Sequence, residues 1–366
     1  MKAKAAVVSE KEADFKIQEV ELAPITDREV LIKIKATGLC HTDLAVKDGM
    51  LPTNYPVVLG HEGSGIVEEV GSAVEGLKKG DHVVLSYGSC GTCRTCLEGK
   101  PAYCVDFEGL NFTNKRLRSK EHIYKKPAEL HGVFFQQSSF GTYAIASDRN
   151  VVKIKKDVPL ELMGPLGCGI QTGAGAVMNT INPNPGTSIA VFGTGSVGLS
   201  AVMAAKNAGC SVIIAVDINP DRLELAKELG ATHTINSKEV DEVPEAIKEI
   251  IKGGVSNAVE CSGVAEVANQ AYNSLFNTGT LAIVGAPPGG TDYAFDANSW
   301  ILSGISIRGV VEGDSIVPVY IPRLVELYCQ GRFPFDKLVT YYDFENINEA
   351  VRDMEEGKVI KPILRM

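Results

Sequence analysis

Residues 189–198 read IAVFGTGSVG, an apolar run of strand length that passes into a glycine-rich turn and then into helix-forming sequence. Within it Gly193, Gly195 and Gly198 make G-x-G-x-x-G. In a dinucleotide fold the first glycine permits the tight turn, the second lets backbone approach a pyrophosphate, and the third lets helix and strand pack closely. The phosphates then face the helix N-terminus, where unpaired N–H groups favour negative charge. Ser196 and Val197, between the second and third glycines, belong to the same expected site. The same turn can serve packing alone, so its surroundings decide. A helix over 199–208 and an apolar strand over 211–216 follow, ending in Asp217, roughly 20 residues past the loop, where a ribose-binding carboxylate belongs. A carboxylate there accepts from the ribose hydroxyls and repels a 2'-phosphate, which favours NAD over NADP. The alternative for Asp217 is a helix cap or turn acid.

Outward from this stretch, strands at 189–192, 212–216, 258–260 and 280–284 alternate with helices at 199–208, 222–229, 243–251 and 264–275. That alternation implies an α/β doubly wound parallel sheet. Residues 1–150 differ: short strands at 3–8, 15–20, 29–36, 65–70 and 81–85 are separated by Gly and Pro turns, and no helical period of any length appears before 164–179. Helices near 321–330 and 347–356 and a strand near 360–364 are expected to return to that first, β-rich domain. The boundaries that follow are 1–169, with a cysteine lobe at 86–105, then 170–311, then 312–366.

A chain of 366 residues is too long for one ordinary core and suits two domains. Hydrophobic residues at 45% and charged residues at 22% describe a globular protein and exclude a disordered one. The net charge of −9 argues against a general nucleic-acid or anionic-membrane surface. No apolar run is long enough to span a bilayer, and residues 1–4 are not followed by a signal-peptide core, so a cytoplasmic protein is expected. The basic run over 114–126, NKRLRSKEHIYKK, reads as a solvated surface loop.

Four of the nine cysteines lie together: Cys90, Cys93, Cys96 and Cys104 form C-x2-C-x2-C-x7-C. Without a secretory signal such clustering reads as metal ligation rather than cross-linking. Four thiolates from one loop close a tetrahedron around zinc and leave no open position, the property of a structural site. An iron-sulfur cluster is the rival. A nucleic-acid-binding zinc ribbon lacks support, because only Arg94, Glu98 and Lys100 carry charge between residues 85 and 104. Cys210, Cys261 and Cys329 read as plain buried cysteines. Cys40, His61 and Cys168 are scattered; two thiolates and an imidazole would make an open, catalytic zinc site, although each residue taken singly is more often part of a core or a turn.

GLCHTD at 38–43, GHEGSGIVEEVG at 60–71, the four-cysteine lobe, GCGIQTGAG at 167–175 and the dinucleotide turn resemble, in order and spacing, the zinc-dependent medium-chain alcohol dehydrogenases, over essentially the whole chain. GCGIQTGAGAVMN and HGVFFQQSSF look most like the aryl-alcohol (benzyl-alcohol) members. The resemblance implies a GroES-like catalytic domain joined to a Rossmann cofactor domain. It implies two zinc ions per subunit, with Cys40, His61 and Cys168 as catalytic ligands, and NAD as the hydride carrier. Thr42 would take the alcohol proton. Where many members place a relay histidine three residues later, this chain has Ala45. Asp43 and Glu62 would orient His61 or tune the zinc. His41 and Lys361 would contact the cofactor pyrophosphate and Arg222 its adenosine ribose, while Thr172, Val284, Gly285 and Ala286 line the nicotinamide. Leu51, Ser86, Phe134, Phe135 and Ala286 would shape the pocket for an alcohol or aldehyde, two adjacent phenylalanines offering a flat wall to an aromatic ring. Medium-chain or terpenoid primary alcohols are the alternative substrates, and a nucleotide-binding protein without catalysis is the alternative class. By the same resemblance subunits pair through a sheet edge into a homodimer or homotetramer, with 300–311 (WILSGISIRGVV) as the candidate edge.

Overall fold

The computed structural model describes residues 1–117, 119 and 121–366; Arg118 and Lys120 of the basic run lie outside the described residues. The chain divides into two compact units. One comprises Met1–Gly169, Ile316–Cys329 and Asp336–Met366, the other Ile170–Ser315 and Gln330–Phe335. The chain thus leaves the second unit after Ser315, and a short segment, Gln330–Phe335, goes back to it.

In the first unit the organising strand is Glu29–Gly38, whose Val30, Ile32, Ile34 and Ala36 are buried while Lys33 is exposed. It pairs antiparallel with Glu62–Val70, Tyr143–Ser147 and Lys361–Arg365 in a sheet that also holds His82–Leu85, Val151–Ile154 and Val339–Asp343. Val30, Ile32, Ile34, Val67, Val83, Leu85, Ala144, Ala146 and Val151 form its core. Each valine, leucine or isoleucine among them contributes ~1.5–3 kcal/mol when fully buried. A second sheet joins Lys2–Val8, Lys16–Leu22, Val57–Val58 and Tyr124–Lys126.

The helix His41–Lys47 in this β-rich unit does not appear in the sequence pattern. Seven residues are too few to show a period, and it is started instead by its own cap, Asp43 accepting the Cys40 N–H at 3.1 Å. The single helix expected over 164–179 is broken into a 3-10 turn Gly164–Gly167, an α-helix Gly169–Gly175 and a π-helical stretch Ala176–Ile181. The basic run is not solvated throughout: the Arg116 side chain is buried against Glu29, with Nε 2.8 Å from Oε1. None of the three leftover cysteines is fully buried, Cys210 and Cys261 being half-buried and Cys329 exposed.

The second unit holds a parallel sheet in the order His233–Asn236, Val212–Asp217, Ser188–Phe192, Val255–Glu260, Leu275–Ile283, Ser306–Gly309. Its inner strands are apolar on both faces, as parallel strands covered by helices must be; every residue of Ser188–Phe192 is buried. The strand order reverses between Ser188–Phe192 and Val255–Glu260, the crevice where doubly wound sheets bind ligands. The expected edge over 300–311 is strand only at Ser306–Gly309. Its first part belongs to the helix Ala297–Ser303, which Asp296 caps by accepting the Ser299 N–H at 2.6 Å.

Candidate active site and metal centres

Cys40 and His61 meet because of register. Gly38 and Glu62 are direct partners across the antiparallel pair, so the residues just beyond each strand end arrive together. A Cβ on Gly38 would stand 2.0 Å from Glu62 Oε2, so a side chain there would displace the Glu62 carboxylate. Cys168 is brought in by two more close approaches. A Cβ at Gly164 would lie 2.3 Å from the Glu62 carbonyl oxygen, and one at Gly167 would lie 2.0 Å from that of Leu85. The result places ligand atoms of Cys40, His61, Glu62 and Cys168 within 4.8 Å of one another.

The His61 ring is fully buried, and Nδ1 lies 2.9 Å from Asp43 Oδ1. That same oxygen accepts the Gly60 N–H at 3.0 Å. Among the described residues Nε2 has no hydrogen-bond partner. A buried imidazole nitrogen left unpaired is costly unless something binds it, and an Nδ1–H held by a carboxylate is how proteins orient a histidine toward a metal. Contact with Cys168 holds the Cys40 thiol well below its ordinary pKa against the opposing effect of burial, and Lys361 and His61 add to this. Burial disfavours the His61 imidazolium, but Asp43 and Cys40 outweigh it and raise its pKa. Thr42 is half-buried, with Oγ1 3.7 Å from Cys40 Sγ.

Lys361 corrects an expectation. Its Nζ, instead of reaching out to a cofactor, is buried 2.9 and 3.0 Å from the two Glu62 carboxylate oxygens and 3.2 Å from the Leu39 carbonyl. Glu62 also accepts the Gly169 N–H at 3.1 Å. Burial works against the ammonium, yet Glu62 and Cys40 keep it charged. Ser86 is buried and donates its hydroxyl to the Gly167 carbonyl at 2.6 Å, next to Cys168. Phe134 and Phe135 are buried against His61, with ring centroids 5.4 and 4.6 Å away, and Phe107 and Phe112 pack on Phe135 from elsewhere. Leu51 is half-buried, its N–H on the Ala45 carbonyl, while His41 is exposed.

The lobe gathers Cys90, Cys93, Cys96 and Cys104 into a second group within 4.8 Å, with Cys90–Cys96 and Cys93–Cys104 sulfurs 4.0 Å apart. Four sulfurs at about 2.3 Å from one zinc are about 3.8 Å from each other, so this spacing fits a tetrahedron around a single ion. A multi-iron cluster would spread them farther. Backbone N–H groups of Thr92 and Cys93 point at Cys90 Sγ. The Thr95 hydroxyl, first among several donors, brings the Cys93 thiol down to about 5.

In the second unit the glycine turn is built as its sequence requires. Gly193 has φ +83°, and a Cβ at Gly198 would fall 1.8 Å from the Gly193 carbonyl oxygen. A Cβ at Gly195 would meet nothing, so the chain leaves open space at the position meant for a pyrophosphate. The helix Ser196–Ala208 starts there, with Val197 in its first turn. Asp217 is engaged in the turn itself. Oδ2 takes the Thr194 N–H (2.5 Å) and hydroxyl (2.8 Å), and Oδ1 takes the N–H groups of Ile218 and Asn219. Among the described residues the nearby Arg222 Nε is buried without a partner. Thr172 is half-buried on the helix that follows Cys168. Val284, Gly285 and Ala286 close on the turn after Glu260, a Cβ at Gly285 falling 2.1 Å from the Gly263 nitrogen.

Residues 26–156 match the alcohol dehydrogenase GroES-like domain and residues 196–327 the zinc-binding dehydrogenase family. A geraniol dehydrogenase from Castellaniella defragrans is 40% identical over 99% of this chain and 97% of its own length. The chain belongs to the zinc-dependent medium-chain alcohol dehydrogenases. Two solved structures of that kind superpose closely. One is an alcohol dehydrogenase zinc-binding domain protein from Burkholderia ambifaria (52% identity, TM-score 0.98), the other a benzyl alcohol dehydrogenase from Acinetobacter calcoaceticus (50%, TM-score 0.97), each covering 100% of this chain and 99% of its own. NAD and zinc are the cofactors that fit this alcohol dehydrogenase family. What the sequence pattern missed around the dehydrogenase site is a set of buried amides, Gln136, Gln137 and Asn150. The available signal was a pair of glutamines inside an aromatic, apolar run, where an amide is expected to be hydrogen-bonded rather than solvated.

Proposed function

We propose that the protein is an NAD-dependent dehydrogenase that reversibly converts primary aryl alcohols of the benzyl type to aldehydes, with Cys40, His61 and Cys168 holding a catalytic zinc and the lobe cysteines a structural one. The observation that carries this reading is the unpaired, buried His61 Nε2 among two cysteine sulfurs. When bound, zinc lowers the pKa of an alcohol hydroxyl and in reverse polarises the carbonyl, while NAD carries the hydride.

The chain's own residues supply the rest. Asp43 holds the His61 tautomer, and Thr42 accepts the alcohol proton through its hydroxyl. Ala45 ends the side-chain relay there, so the proton passes on to water or the cofactor ribose. Gly193, Gly195, Ser196, Val197 and Gly198, with His41, receive the pyrophosphate. Asp217 and Arg222 hold the adenosine ribose, and Thr172, Val284, Gly285 and Ala286 the nicotinamide. The aromatic cluster of Phe107, Phe112, Phe134 and Phe135 beside His61 favours flat, apolar alcohols, with Leu51 and Ser86 completing the pocket, and the benzyl alcohol dehydrogenase neighbour supports that class. The geraniol dehydrogenase relative supports a second reading, oxidation of terpenoid or medium-chain primary alcohols.

Among the described residues the Ser306–Gly309 strand stands last in its sheet, beside Leu275–Ile283, and Trp300, Ile301 and Leu302 nearby in sequence are exposed, the last two at 79% and 75%. A second copy covering this edge suits both features, giving a homodimer or, from two of these, a homotetramer. No helix among the described residues is long and apolar enough to cross a membrane. We place the enzyme in the cytoplasm, where thiolates stay reduced.

The test is NAD reduction with benzyl alcohol, cinnamyl alcohol, geraniol, hexanol and ethanol, on protein whose zinc has been counted. Two zincs per chain and highest kcat/KM for benzyl alcohol are expected. Preference for geraniol or hexanol keeps the chemistry and replaces the substrate. One zinc and no turnover, with NAD still bound, would mean a protein that does not catalyse.

A further inference from the structure

The segment from Val133 to Ser139 is the most constrained backbone near the metal centre. Val133, Phe135, Gln136 and Ser138 all have φ between +50° and +66°, a region that bulky and β-branched residues avoid. Conformations of this sort persist only where the surroundings over-determine them. Here three buried amides do so. Gln136 donates to the Leu110 and Lys115 carbonyls and accepts from the Leu117 N–H. Asn150 donates to the carbonyls of Ser86, Phe135 and Gln136. Gln137 donates to the carbonyls of His61 (2.8 Å) and Ser86 (3.0 Å) and accepts the Gly63 N–H (3.1 Å).

Gln137 is the member that touches the backbone of the ligand histidine, from both sides of Glu62. The turn it anchors lays the Phe135 ring over the His61 imidazole, 4.6 Å away and tilted by 30°. Asp43 holds one end of that imidazole; the face is held by Phe135 and the main chain by Gln137. We propose that Gln137 and Phe135 are positioning residues of the metal centre: through the His61 carbonyl and the His61 ring face they hold Nε2 in one direction. An amide is required at 137 because the position must donate twice and accept once. A carboxylate of the same shape accepts from Gly63 and cannot donate to His61 or Ser86.

This inference rests on the reading of Cys40, His61 and Cys168 as the metal ligands, and the experiment separates the two. The protein is loaded with cobalt, and three quantities are followed in wild type, Gln137→Glu and Phe135→Leu. They are metals per chain, the visible cobalt absorption, and the rate at which a chelator removes each metal, with the lobe as internal reference. The expected result is an altered cobalt spectrum and release from the His61 centre faster by about ten- to a hundredfold, with lobe release unchanged. Both variants keeping the wild-type spectrum and release rate would overturn the proposal. So would equal acceleration at both metals, which is what general loosening of the unit produces. If Gln137→Glu does not fold, Phe135→Leu decides alone, since it leaves every amide bond in place. Wild type that holds metal only in the lobe would sink the ligand assignment instead.

Discussion

The two cysteine-containing centres of the first unit reach similar ligand spacing by opposite routes. Cys90, Cys93, Cys96 and Cys104 come from one loop, are half-exposed except for Cys104, and orient their sulfurs with the loop's own N–H groups and hydroxyls. Cys40, His61 and Cys168 come from three distant stretches and are oriented by Asp43, which lies beside Cys40 in sequence, and by the more distant Lys361, through Glu62, and Gln137. A local site needs its ion to order the loop. An assembled site is shaped by a sheet that folds for other reasons, so the ion enters a place already made. Loss of metal therefore has different consequences at the two.

The widest separation is expected between Cys104→Ser and Cys168→Ser. In the lobe the binding energy of a structural zinc, on the order of 10 kcal/mol, is also folding energy. Cys104→Ser should lose one metal and melt early or aggregate. Cys168→Ser should lose the other metal and all turnover while keeping a cooperative melt close to wild type. Metal counts with thermal unfolding check this, and equal melting of the two variants would erase the distinction.

Next in size is Lys361→Met, which strands a buried carboxylate and should cost about 3–5 kcal/mol in denaturant unfolding. Adding Glu62→Gln to it should restore much of the loss, because the uncompensated charge goes with it. A stable single variant would show that Glu62 is hydrated or protonated. Asp43→Asn should act on affinity more than on stability, weakening metal binding at His61 by about ten- to a hundredfold and leaving the lobe untouched. The smallest expected effect is that of Ala45→His. The wild-type pH profile should lack a relay histidine. The variant should gain a titration near about pH 6.5, with turnover falling as the pH drops below it, since only the neutral imidazole accepts a proton. A variant with unchanged rate and profile would take position 45 off the proton path.

Much of the fold was legible because its signals are local. The glycine turn, the alternating strands and helices and the four-cysteine loop each depend on residues a few positions apart. The His41–Lys47 helix was hidden by its length. The single helix expected over 164–179 is broken at Cys168, whose φ of −145° is not helical, and changes to a π-helical stretch after Gly175, where a Cβ would stand 2.1 Å from the Gly313 carbonyl oxygen, a contact with a part of the chain that no window contains. Resemblance assigns Lys361 to the cofactor, and a basic residue in GKVIKP says nothing of the carboxylate almost three hundred residues earlier that corrects this.

From its letters alone this chain specifies a dinucleotide turn, a tetrahedral thiolate lobe and a two-part architecture, since spacing and backbone preference act within short windows. Resemblance names Cys40, His61 and Cys168, but what brings them within reach of one another is the Gly38–Glu62 register and the glycine approaches at Gly164 and Gly167. The pairing of Lys361 with Glu62 and the left-handed turn that lays Phe135 on His61 likewise exist only once distant strands are in contact. Burial then leaves each polar group a single set of partners, and that set is a property of the packed chain.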